Sequence, residues 1–209
     1  SRGLGDVYKR QVVNRDDMDD GGALHYKKCI DKVHEICPKV GIEFLCSDLS
    51  GNVNALEFLL ANSPLTVFAH NVETVRRLTP RVRDPRATFD QSLLILKKAK
   101  DFRPDIITKT SIMLGLGETE EDLLSAFREL RDAKVDLLTL GQYLSPGPRY
   151  HPVVSFPSPE TFDSLAQIAK DMGFKAIASG PMVRSSYRAE SLVAAAKGET
   201  FDIELKVVA

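Results

Sequence analysis

Four polar stretches carry the side chains best suited to chemistry, and each of them follows a run of apolar residues. They are NRDDMDDGG at 14–22, HNVET at 70–74, LGLGET at 114–119 and GQYLSPG at 141–147. The first contains Asp16, Asp17, Asp19 and Asp20, whose carboxylates could bind ribose hydroxyls, an ammonium group or a divalent cation. The same carboxylates would also stabilise the positive end of a following helix, which is the interpretation that the residues alone favour.

The HNVET stretch places three polar side chains directly after an apolar run. His70 could act as a base or a metal ligand, although a lone histidine is more often a hydrogen-bonded structural residue. Asn71 and Glu73 supply a neutral and an anionic acceptor, which suits the recognition of hydroxyl and amine groups. The stretch is therefore a candidate for binding a polar ligand.

The glycines of LGLGET, Gly115 and Gly117, raise the question of a phosphate-binding loop. A P-loop requires a Gly-Lys-Ser/Thr ending and the dinucleotide fingerprint requires a third glycine, and this stretch has neither. Glycine also lets the backbone approach a flat ligand closely. A strand end that faces an adenine ring is therefore the alternative interpretation.

Short apolar runs alternate with helical periodicity along the chain. The runs cover 42–46, 65–69, 112–114, 137–140 and 174–178, and the helical patterns cover 22–36, 53–61, 89–100, 120–133 and 159–172. This alternation predicts βαβ units and a parallel α/β sheet. A barrel or partial barrel is favoured over a doubly wound sheet because there is no Rossmann fingerprint. In a barrel, the four polar stretches share the rim at the carboxyl ends of the strands.

Capping residues mark the starts of several predicted helices. Thr119 with Asp122 three residues later resembles a capping box. Asn52, Thr88 and Ser158 are plausible caps before other helices, because their side-chain oxygens can accept from free backbone N–H groups.

Composition and charge limit the function classes. The chain has 209 residues and a formal net charge of −1, which gives no indication of binding to nucleic acid or to an anionic membrane. No apolar stretch approaches the roughly 18 residues of a membrane span, and no secretory signal is visible. One cytoplasmic domain, with at most a small second one, is expected.

The three cysteines, Cys29, Cys37 and Cys46, are an odd number with wide spacings. A disulfide framework is not expected, and a reducing compartment fits. Their spacing matches no zinc or iron–sulfur signature. They are predicted to be buried free thiols, since free cysteine packs like a small hydrophobic residue.

Two segments stand apart from the alternating pattern. Residues 70–88 carry five arginines against Glu73 and Asp84, which suits either an anionic substrate or partner, or a solvated surface with internal salt bridges. Residues 1–11, SRGLGDVYKRQ, have no apolar periodicity and are interpreted as a non-native leader outside the fold, with Val12 and Val13 as the tail of a strand.

Five motifs in this order resemble the lipoyl synthases, which are radical S-adenosylmethionine enzymes. They are NRDDMDDGGA, HNVETVRRLTPRVR, TKTSIMLGLGETEED, LTLGQYLSPG and ASGPMVRSSYRAE, and together they extend from about residue 12 to residue 190. Each motif is weak to moderate by itself, whereas HNVET, GQYL and GPMVRSSY in this order make a strong joint signal.

The resemblance implies a partial (β/α) TIM-like barrel of the radical SAM type with two [4Fe–4S] clusters. It implies that one cluster cleaves S-adenosyl-L-methionine to a 5′-deoxyadenosyl radical, which abstracts hydrogens from C6 and C8 of an octanoyl chain on a carrier lysine. The second cluster would donate the sulfur. Octanoylated lipoyl-carrier domains and an electron donor such as ferredoxin or flavodoxin would be the partners. The location would be the cytoplasm, or a mitochondrion or plastid in a eukaryote.

The resemblance also implies residue roles. Ser185, or else the adjacent Ser186, corresponds to the serine ligand of the second cluster, and serine is a harder ligand for iron than thiolate. The expected S-adenosylmethionine-binding residues are Asp17, Gly21, Gly22, Asn71, Glu73, Lys109, Gly115, Gly117, Glu118 and Gln142.

The sequence departs from the family pattern at its start. The Cys-x3-Cys-x2-Cys and Cys-x4-Cys-x5-Cys motifs of the family do not occur, and the three cysteines lie elsewhere. The chain is therefore expected to be an N-terminally truncated, inactive fragment, with a leader at 1–11, a partial barrel at 12–188 and a C-terminal tail at 189–209. The alternatives are a non-catalytic module that binds lipoyl carriers and a metal-dependent barrel enzyme using the carboxylates of 16–20.

Overall fold

A computed structural model describes residues 7–187 and 189–198 of the chain, without the side chains of Val7 and Tyr8. The strands are β1 (Val7–Gln11), β2 (Gly41–Leu45), β3 (Val67–Ala69), β4 (Ile107–Leu114), β5 (Leu137–Gln142) and β6 (Ala176–Gly180). The helices are α1 (Ala23–Ile36), α2 (Val53–Leu60), α3 (Thr79–Val82), α4 (Phe89–Phe102), α5 (Glu120–Asp132), α6 (Pro159–Asp171) and α7 (Ala189–Ala196). A short 3₁₀ turn covers Leu49–Gly51.

The six strands form one sheet in the order β1-β2-β3-β4-β5-β6, and all neighbouring pairs are parallel. Each strand therefore lies beside the next one in the sequence, and right-handed crossovers place the connecting helices on the same face. This arrangement confirms the predicted α/β partial barrel and excludes the doubly wound alternative, whose strand order reverses direction.

Two apolar clusters pack the helices onto the outer face of the sheet. One joins Phe44 and Phe68 to α1, α2 and α4. The other joins Ile112, Leu138 and Leu140 to α4, α5 and α6. Because strand side chains alternate between faces, the intervening residues point to the opposite side, which is called the inner face below.

Helix α7 covers the inner face near the amino ends of the strands. Its Leu192 and Val193 are buried against Val67, Ile107 and Leu137, which lie near the starts of their strands. The helix contacts both β6 and β1, the two edge strands of the sheet. The inner face is therefore apolar at the amino ends of the strands, which leaves their carboxyl ends for a site.

The predicted helix caps are confirmed. Thr119 and Asp122 form a reciprocal capping box at the start of α5. Asn52, Thr88 and Ser158 each accept a hydrogen bond from a backbone N–H in the first turn of α2, α4 and α6. None of the helices within residues 7–187 and 189–198 is long and apolar enough to cross a membrane.

Several elements differ from the sequence-based expectation. Val7–Gln11 forms β1 against β2, whereas a strand tail was expected at Val12 and Val13 and no element before it. The predicted tail at 189–209 contains α7. The non-native origin of residues 1–11 stays a prediction. All three cysteines are free, as predicted, but only Cys46 is buried, because Cys29 and Cys37 lie on exposed positions of α1 and its end.

Candidate functional site

The inner face carries one layer of buried charge midway along the strands. The Lys109 ammonium donates to both Glu43 carboxylate oxygens, at 3.0 Å each. Lys9 of β1 forms a second ion pair with Glu43 at 3.3 Å. Glu43 is 0% exposed and Lys109 is 1% exposed. Two strands thus direct ammonium groups at one carboxylate on a third strand, and of the three side chains only Lys9, at 14% exposure, keeps some contact with water.

Such a layer is costly to bury. Removing charged groups from water is compensated only by close pairing, and burial lowers the pKa of Lys9 against the opposing attraction of Glu43. The layer holds two cations and one anion, so it leaves one positive charge on the inner face. The Glu73 carboxyl also acts on Lys9, so the layer and the strand-end rim together present both signs of charge to a ligand.

Asn71 and Glu73 lie directly above this layer. The Glu73 N–H donates to the Ser111 carbonyl at 3.1 Å, and Met113 N–H donates to the Glu73 carbonyl at 2.9 Å. Burial raises the pKa of the Glu73 carboxyl, while a hydrogen bond from the Asn71 side chain opposes that shift. Glu73 has a φ of 65°, which is uncommon for a residue other than glycine and is concentrated at functional sites.

His70 is a structural residue. Its two ring nitrogens contact the Cys46 carbonyl at 3.0 Å and the Ser92 hydroxyl at 2.9 Å. Burial lowers its pKa to about 4. The hydrogen-bonded structural interpretation of this histidine is therefore the one that the structure favours, because both nitrogens are engaged by the protein.

The acidic loop after β1 divides its carboxylates between helix capping and surface pairing. Asp20 accepts from the N–H groups of Gly22 and Leu24, both at 2.9 Å, which lowers its pKa. Asp17 is exposed and pairs with Arg15 at 2.8 Å. Asp16 pairs with Arg86 at 3.1 Å. The helix-start interpretation holds for Asp20, and these contacts do not bring Asp17 to the inner face.

Gly21 and Gly22 have a packing reason of their own. Both have positive φ, at 59° and 87°. A Cβ at Gly22 would lie 2.7 Å from the Tyr26 ring, and one at Gly21 would lie 3.1 Å from the Leu49 Cα. A side chain at Gly22 would force the Tyr26 ring to move, one at Gly21 would pack tightly against Leu49, and the positive φ would strain another residue at either position. The glycines therefore suit this loop whether or not a ligand is bound.

The loop after β4 is closed by its own glutamate. The Glu118 carboxylate accepts from the N–H groups of Gly115 at 2.6 Å and Leu116 at 2.9 Å. Gly115 and Gly117 adopt φ of 96° and 99°. The carboxylate thus occupies the backbone donors that a phosphate would need, which agrees with the missing P-loop residues. The predicted adenine contact of these residues stays a prediction.

Gln142 fastens the end of β5 to the following loop. Its Nε2 donates to the carbonyls of Leu114, Tyr143 and Ser155 at 3.2, 2.9 and 3.1 Å. By strand alternation it shares the helix-covered face with Leu114 and Leu140. The structure therefore does not bring Gln142 into the layer that contains Lys109.

The two candidate serines differ in their surroundings. The Ser185 hydroxyl accepts from Lys9 Nζ at 3.2 Å, which connects it to the Glu43 layer. Ser186 is exposed. Both follow β6 in the turn that leads to α7. Ser185 is therefore the serine that the described contacts bring to the inner face.

Three of the five arginines of residues 70–88 form ion pairs within the molecule. Arg76 binds Asp90 and Glu129, and Arg77 binds Asp122. Arg86 binds Asp84 as well as Asp16. The interpretation as a solvated surface with internal salt bridges therefore fits better than a free cationic surface.

Sequence comparison shows which family this chain belongs to. Residues 13–130 match the family model of the Radical SAM superfamily. The chain belongs to that superfamily. It is 52% identical over 178 residues to the lipoyl synthase of Thermus thermophilus, which covers 85% of this chain and 55% of that protein. It is 51% identical over 177 residues to the mitochondrial lipoyl synthase of Bos taurus, which covers 85% and 47%.

The apicoplast lipoyl synthase of Toxoplasma gondii is 54% identical over 177 residues, covering 85% of this chain and 32% of that protein. The resemblance to lipoyl synthases is thus confirmed, and this radical SAM chain spans about half the length or less of these curated relatives.

Two solved structures share the fold of this radical SAM chain. Methylornithine synthase superposes with a TM-score of 0.58 at 15% identity, over 74% of this chain and 43% of that chain. A 2,3-dimethylmalate lyase superposes with a TM-score of 0.50 at 15% identity, over 92% and 68%. At this identity the likeness concerns the fold alone.

The described residues do not fit a [4Fe–4S] cluster. Within residues 7–187 and 189–198 no group of three or more His, Cys, Asp or Glu side chains could hold a metal ion. Cys46 is enclosed in the core, and burial raises the pKa of its thiol, whereas a cluster requires thiolates. Cys29 lies instead on exposed α1, 3.6 Å from the His25 ring.

A group of polar residues lies at the strand ends and is a candidate for binding a polar ligand. Asn71, Glu73 and Ser111 lie close together at the strand ends, beyond the layer of Lys9, Glu43 and Lys109. The Thr74 hydroxyl, which follows Glu73, is buried without a hydrogen-bond partner in the described part of the chain. Hydroxyl, amine and carboxylate groups of such a ligand could satisfy groups of these kinds.

Glu43 was not identified as a functional residue by the sequence analysis. It lies inside the apolar run 42–46, where a charged side chain is out of place. That interruption is the signal that could have found it, because a carboxylate in a buried strand requires a partner.

Proposed function

We propose that this chain is part of a lipoyl synthase, which inserts sulfur at C6 and C8 of a protein-bound octanoyl chain. The observation that carries the proposal is the 52% and 51% identity to lipoyl synthases over 85% of the chain. The order of its motifs and the strand-end position of Asn71 and Glu73 support it. The substrates would be octanoylated lipoyl-carrier domains, with an electron donor such as ferredoxin or flavodoxin.

In this proposal the strand ends bind S-adenosyl-L-methionine. Asn71 and Glu73 contact the ribose and the polar tail, and Lys109 supplies a positive charge beneath them. Gly115, Gly117 and Glu118 shape the adenine side of the site, with Gln142 holding the neighbouring loop in place. Asp17, Gly21 and Gly22 belong to the loop that meets the methionine amine. S-adenosyl-L-methionine, when cleaved reductively, supplies the radical that abstracts hydrogen.

Ser185 is the preferred candidate for the serine that the sulfur-donating cluster of lipoyl synthases requires. Its support is the contact with Lys9 on the inner face, whereas Ser186 is exposed. Because the described residues offer no set of cluster ligands, we expect the chain by itself to be inactive.

Anaerobic reconstitution with iron and sulfide, followed by absorbance spectroscopy, tests that expectation. The chain should take up no stable cluster, and a stable [4Fe–4S] spectrum would contradict the proposal of inactivity. A metal-dependent barrel enzyme would be indicated instead by a divalent-cation titration that saturates and that Asp17→Asn abolishes.

Binding of S-adenosylhomocysteine tests the proposed site without a cluster. Two-dimensional NMR titration of the labelled chain should show saturable shifts, and Glu73→Gln should weaken the affinity by about tenfold, since a hydrogen bond to a charged group is lost. Glu160→Gln, at the start of α6, is the matched control and should bind like wild type. Absence of saturable shifts in the wild-type chain would refute the adenosyl site.

A further inference from the structure

Glu43 is a buried carboxylate to which the proposed function gives no role. It is 0% exposed, and its side chain pairs with the ammonium groups of Lys9 and Lys109. Replacing such a group by an apolar residue would remove a large desolvation cost. Its presence in the middle of an inner strand therefore calls for an explanation beyond packing.

The position of Lys109 supplies that explanation. In the sheet, Lys109 is in register with Ala69 of β3, and Asn71 follows two residues later. Ser111, which accepts from Glu73 N–H, likewise follows Lys109 by two residues on the same face. Two residues of a strand span about 7 Å. The Lys109 ammonium thus lies one layer of side chains beneath Asn71 and Glu73.

The direction of the ammonium is fixed by Glu43. A lysine ammonium has three N–H donors, and two of the Lys109 contacts go to the two Glu43 oxygens at 3.0 Å. A bidentate contact of this kind restrains an otherwise flexible side chain.

The charged groups linked to Lys109 come from several elements. Lys9 of β1 and Glu43 of β2 lie beside it, and Glu73 acts on Lys9. Arg83 in turn interacts with Glu73 and Asp48. Three cations thus face three anions, so the place at which the Lys109 charge is held matters more than the sum of the charges.

We propose that Glu43 is a positioning residue, an inference that rests on the proposed adenosyl site. Glu43 holds the Lys109 ammonium on β4 beneath Asn71 and Glu73. The ammonium charge then faces the carboxylate of the ligand's amino-acid tail. Glu43 touches no ligand itself. It acts through Lys109, and the geometry of that pair, rather than its charge sum, is what the site requires.

A pair of ligands separates the tail from the nucleoside. S-adenosylhomocysteine carries the amino-acid carboxylate, and methylthioadenosine lacks it. Glu43→Gln should weaken S-adenosylhomocysteine binding by about tenfold and change methylthioadenosine binding by less than about twofold, as measured by NMR titration of the folded chain.

A charge swap separates positioning from stability. The charge swap combines Glu43→Lys and Lys109→Glu with Lys9→Met, because Lys9 is in register with Glu43 and would repel a lysine at that position. It keeps an ion pair at the same place but puts the cation on β2. It should recover the urea midpoint lost in Glu43→Gln while S-adenosylhomocysteine binding stays about tenfold weak. Asp136→Asn breaks another buried ion pair at the opposite end of the strands, and it should lower the urea midpoint without weakening either ligand.

The outcomes are distinguishable. Equal S-adenosylhomocysteine affinity in wild type and Glu43→Gln, or full recovery of affinity in the charge swap, overturns the positioning role and leaves the adenosyl site intact. An equal loss of affinity for both ligands in Glu43→Gln and in Asp136→Asn also overturns the positioning role, because the loss would then reflect reduced stability of the fold. If the wild-type chain binds neither ligand, the proposed site fails, and the role of Glu43 fails with it.

Discussion

Two buried carboxylates in this molecule have the same kind of partners but different surroundings. Asp136 pairs with Lys100 at 2.7 Å and Lys175 at 2.9 Å, and it also accepts from the backbone N–H of Thr108 at 3.0 Å. Glu43 pairs with two lysines, and no backbone N–H of the described residues donates to its carboxylate. Asp136 therefore fastens the starts of neighbouring strands, whereas the contacts of Glu43 are with charged side chains.

The difference separates two reasons for which a protein buries a charged side chain. A carboxylate that satisfies a backbone donor is needed wherever the fold places that donor. A carboxylate that serves only other charged side chains can be removed together with them. The second kind is the better candidate for a role in function.

The largest effect is expected at Asp136. Asp136→Asn should lower the free energy of unfolding by about 3–4 kcal/mol, because it leaves the largely buried Lys100 without a counter-charge, whereas the half-exposed Lys175 is screened by water and adds little. Burial alone would raise the pKa of Asp136, but Lys100, the Thr108 N–H and Lys175 together lower it. Its stabilisation is thus present above the pKa of an unfolded aspartate and is lost as the pH falls through the lower folded value.

Urea unfolding near neutral pH measures this loss, with Asp163→Asn on the exposed side of α6 as the matched control. A loss below about 1 kcal/mol for Asp136→Asn would show that the pair is not an anchor.

A second effect is expected at His70. Its contribution must be separated from that of the carboxylates, because both change the free energy of unfolding in acid. Its pKa is lowered from 6.5 to about 4 by burial, so its stabilisation is present above pH 6.5 and is lost as the pH falls towards 4. The loss amounts to about 3 kcal/mol.

His70→Gln should flatten the free energy of unfolding between these pH values, as measured by urea unfolding at several pH values. The exposed His34 of α1, changed to Gln, should leave the slope unchanged. An unaltered slope in His70→Gln would mean that other groups cause the acid loss.

A smaller effect of opposite sign is expected when the whole Glu43 layer becomes apolar. The triple variant Lys9→Met, Glu43→Leu, Lys109→Met removes all three charges, and its free energy of unfolding should be unchanged or higher by about 1–2 kcal/mol. The equivalent triple change at Lys100, Asp136 and Lys175 should be destabilising, since the Thr108 N–H loses its acceptor. If both triples destabilise equally, the two carboxylates are equivalent and the comparison fails.

The smallest effect is expected on the surface. Arg76→Ala removes two exposed ion pairs and a stacking contact with the Phe89 ring at 4.9 Å. It should cost no more than about 1 kcal/mol in urea unfolding, because exposed pairs are screened by water. A loss as large as that of Asp136→Asn would show that charge pairing contributes similarly inside and outside the sheet.

The sequence predicted the layout of the sheet well where periodicity and caps agreed. The helix over Glu120–Asp132 is an example, because its apolar positions recur at helical spacing and Thr119 marks its start. Strand β4 was predicted only over 112–114, and the structure extends it back to Ile107. Thr108, Lys109, Thr110 and Ser111 concealed its first half, since buried polar residues in a strand do not look like a strand.

The candidate site was predicted only in part, for a related reason. Asn71 and Glu73 could be found because they follow an apolar run directly. The dependence of Lys109 on Glu43 could not, because the two residues are 66 positions apart in the sequence. Spacing along a chain does not reveal such a pair, since only the register of three strands brings it together.

Helix α7 has a consequence for the order of folding. It packs against both β6 and β1. Its docking therefore closes a loop of chain that extends from β1 to α7. Contacts of such long sequence separation are entropically unfavourable until the intervening units have formed. The helix should therefore dock late, and its amide hydrogens should exchange with solvent sooner than those of the central strands β4 and β5.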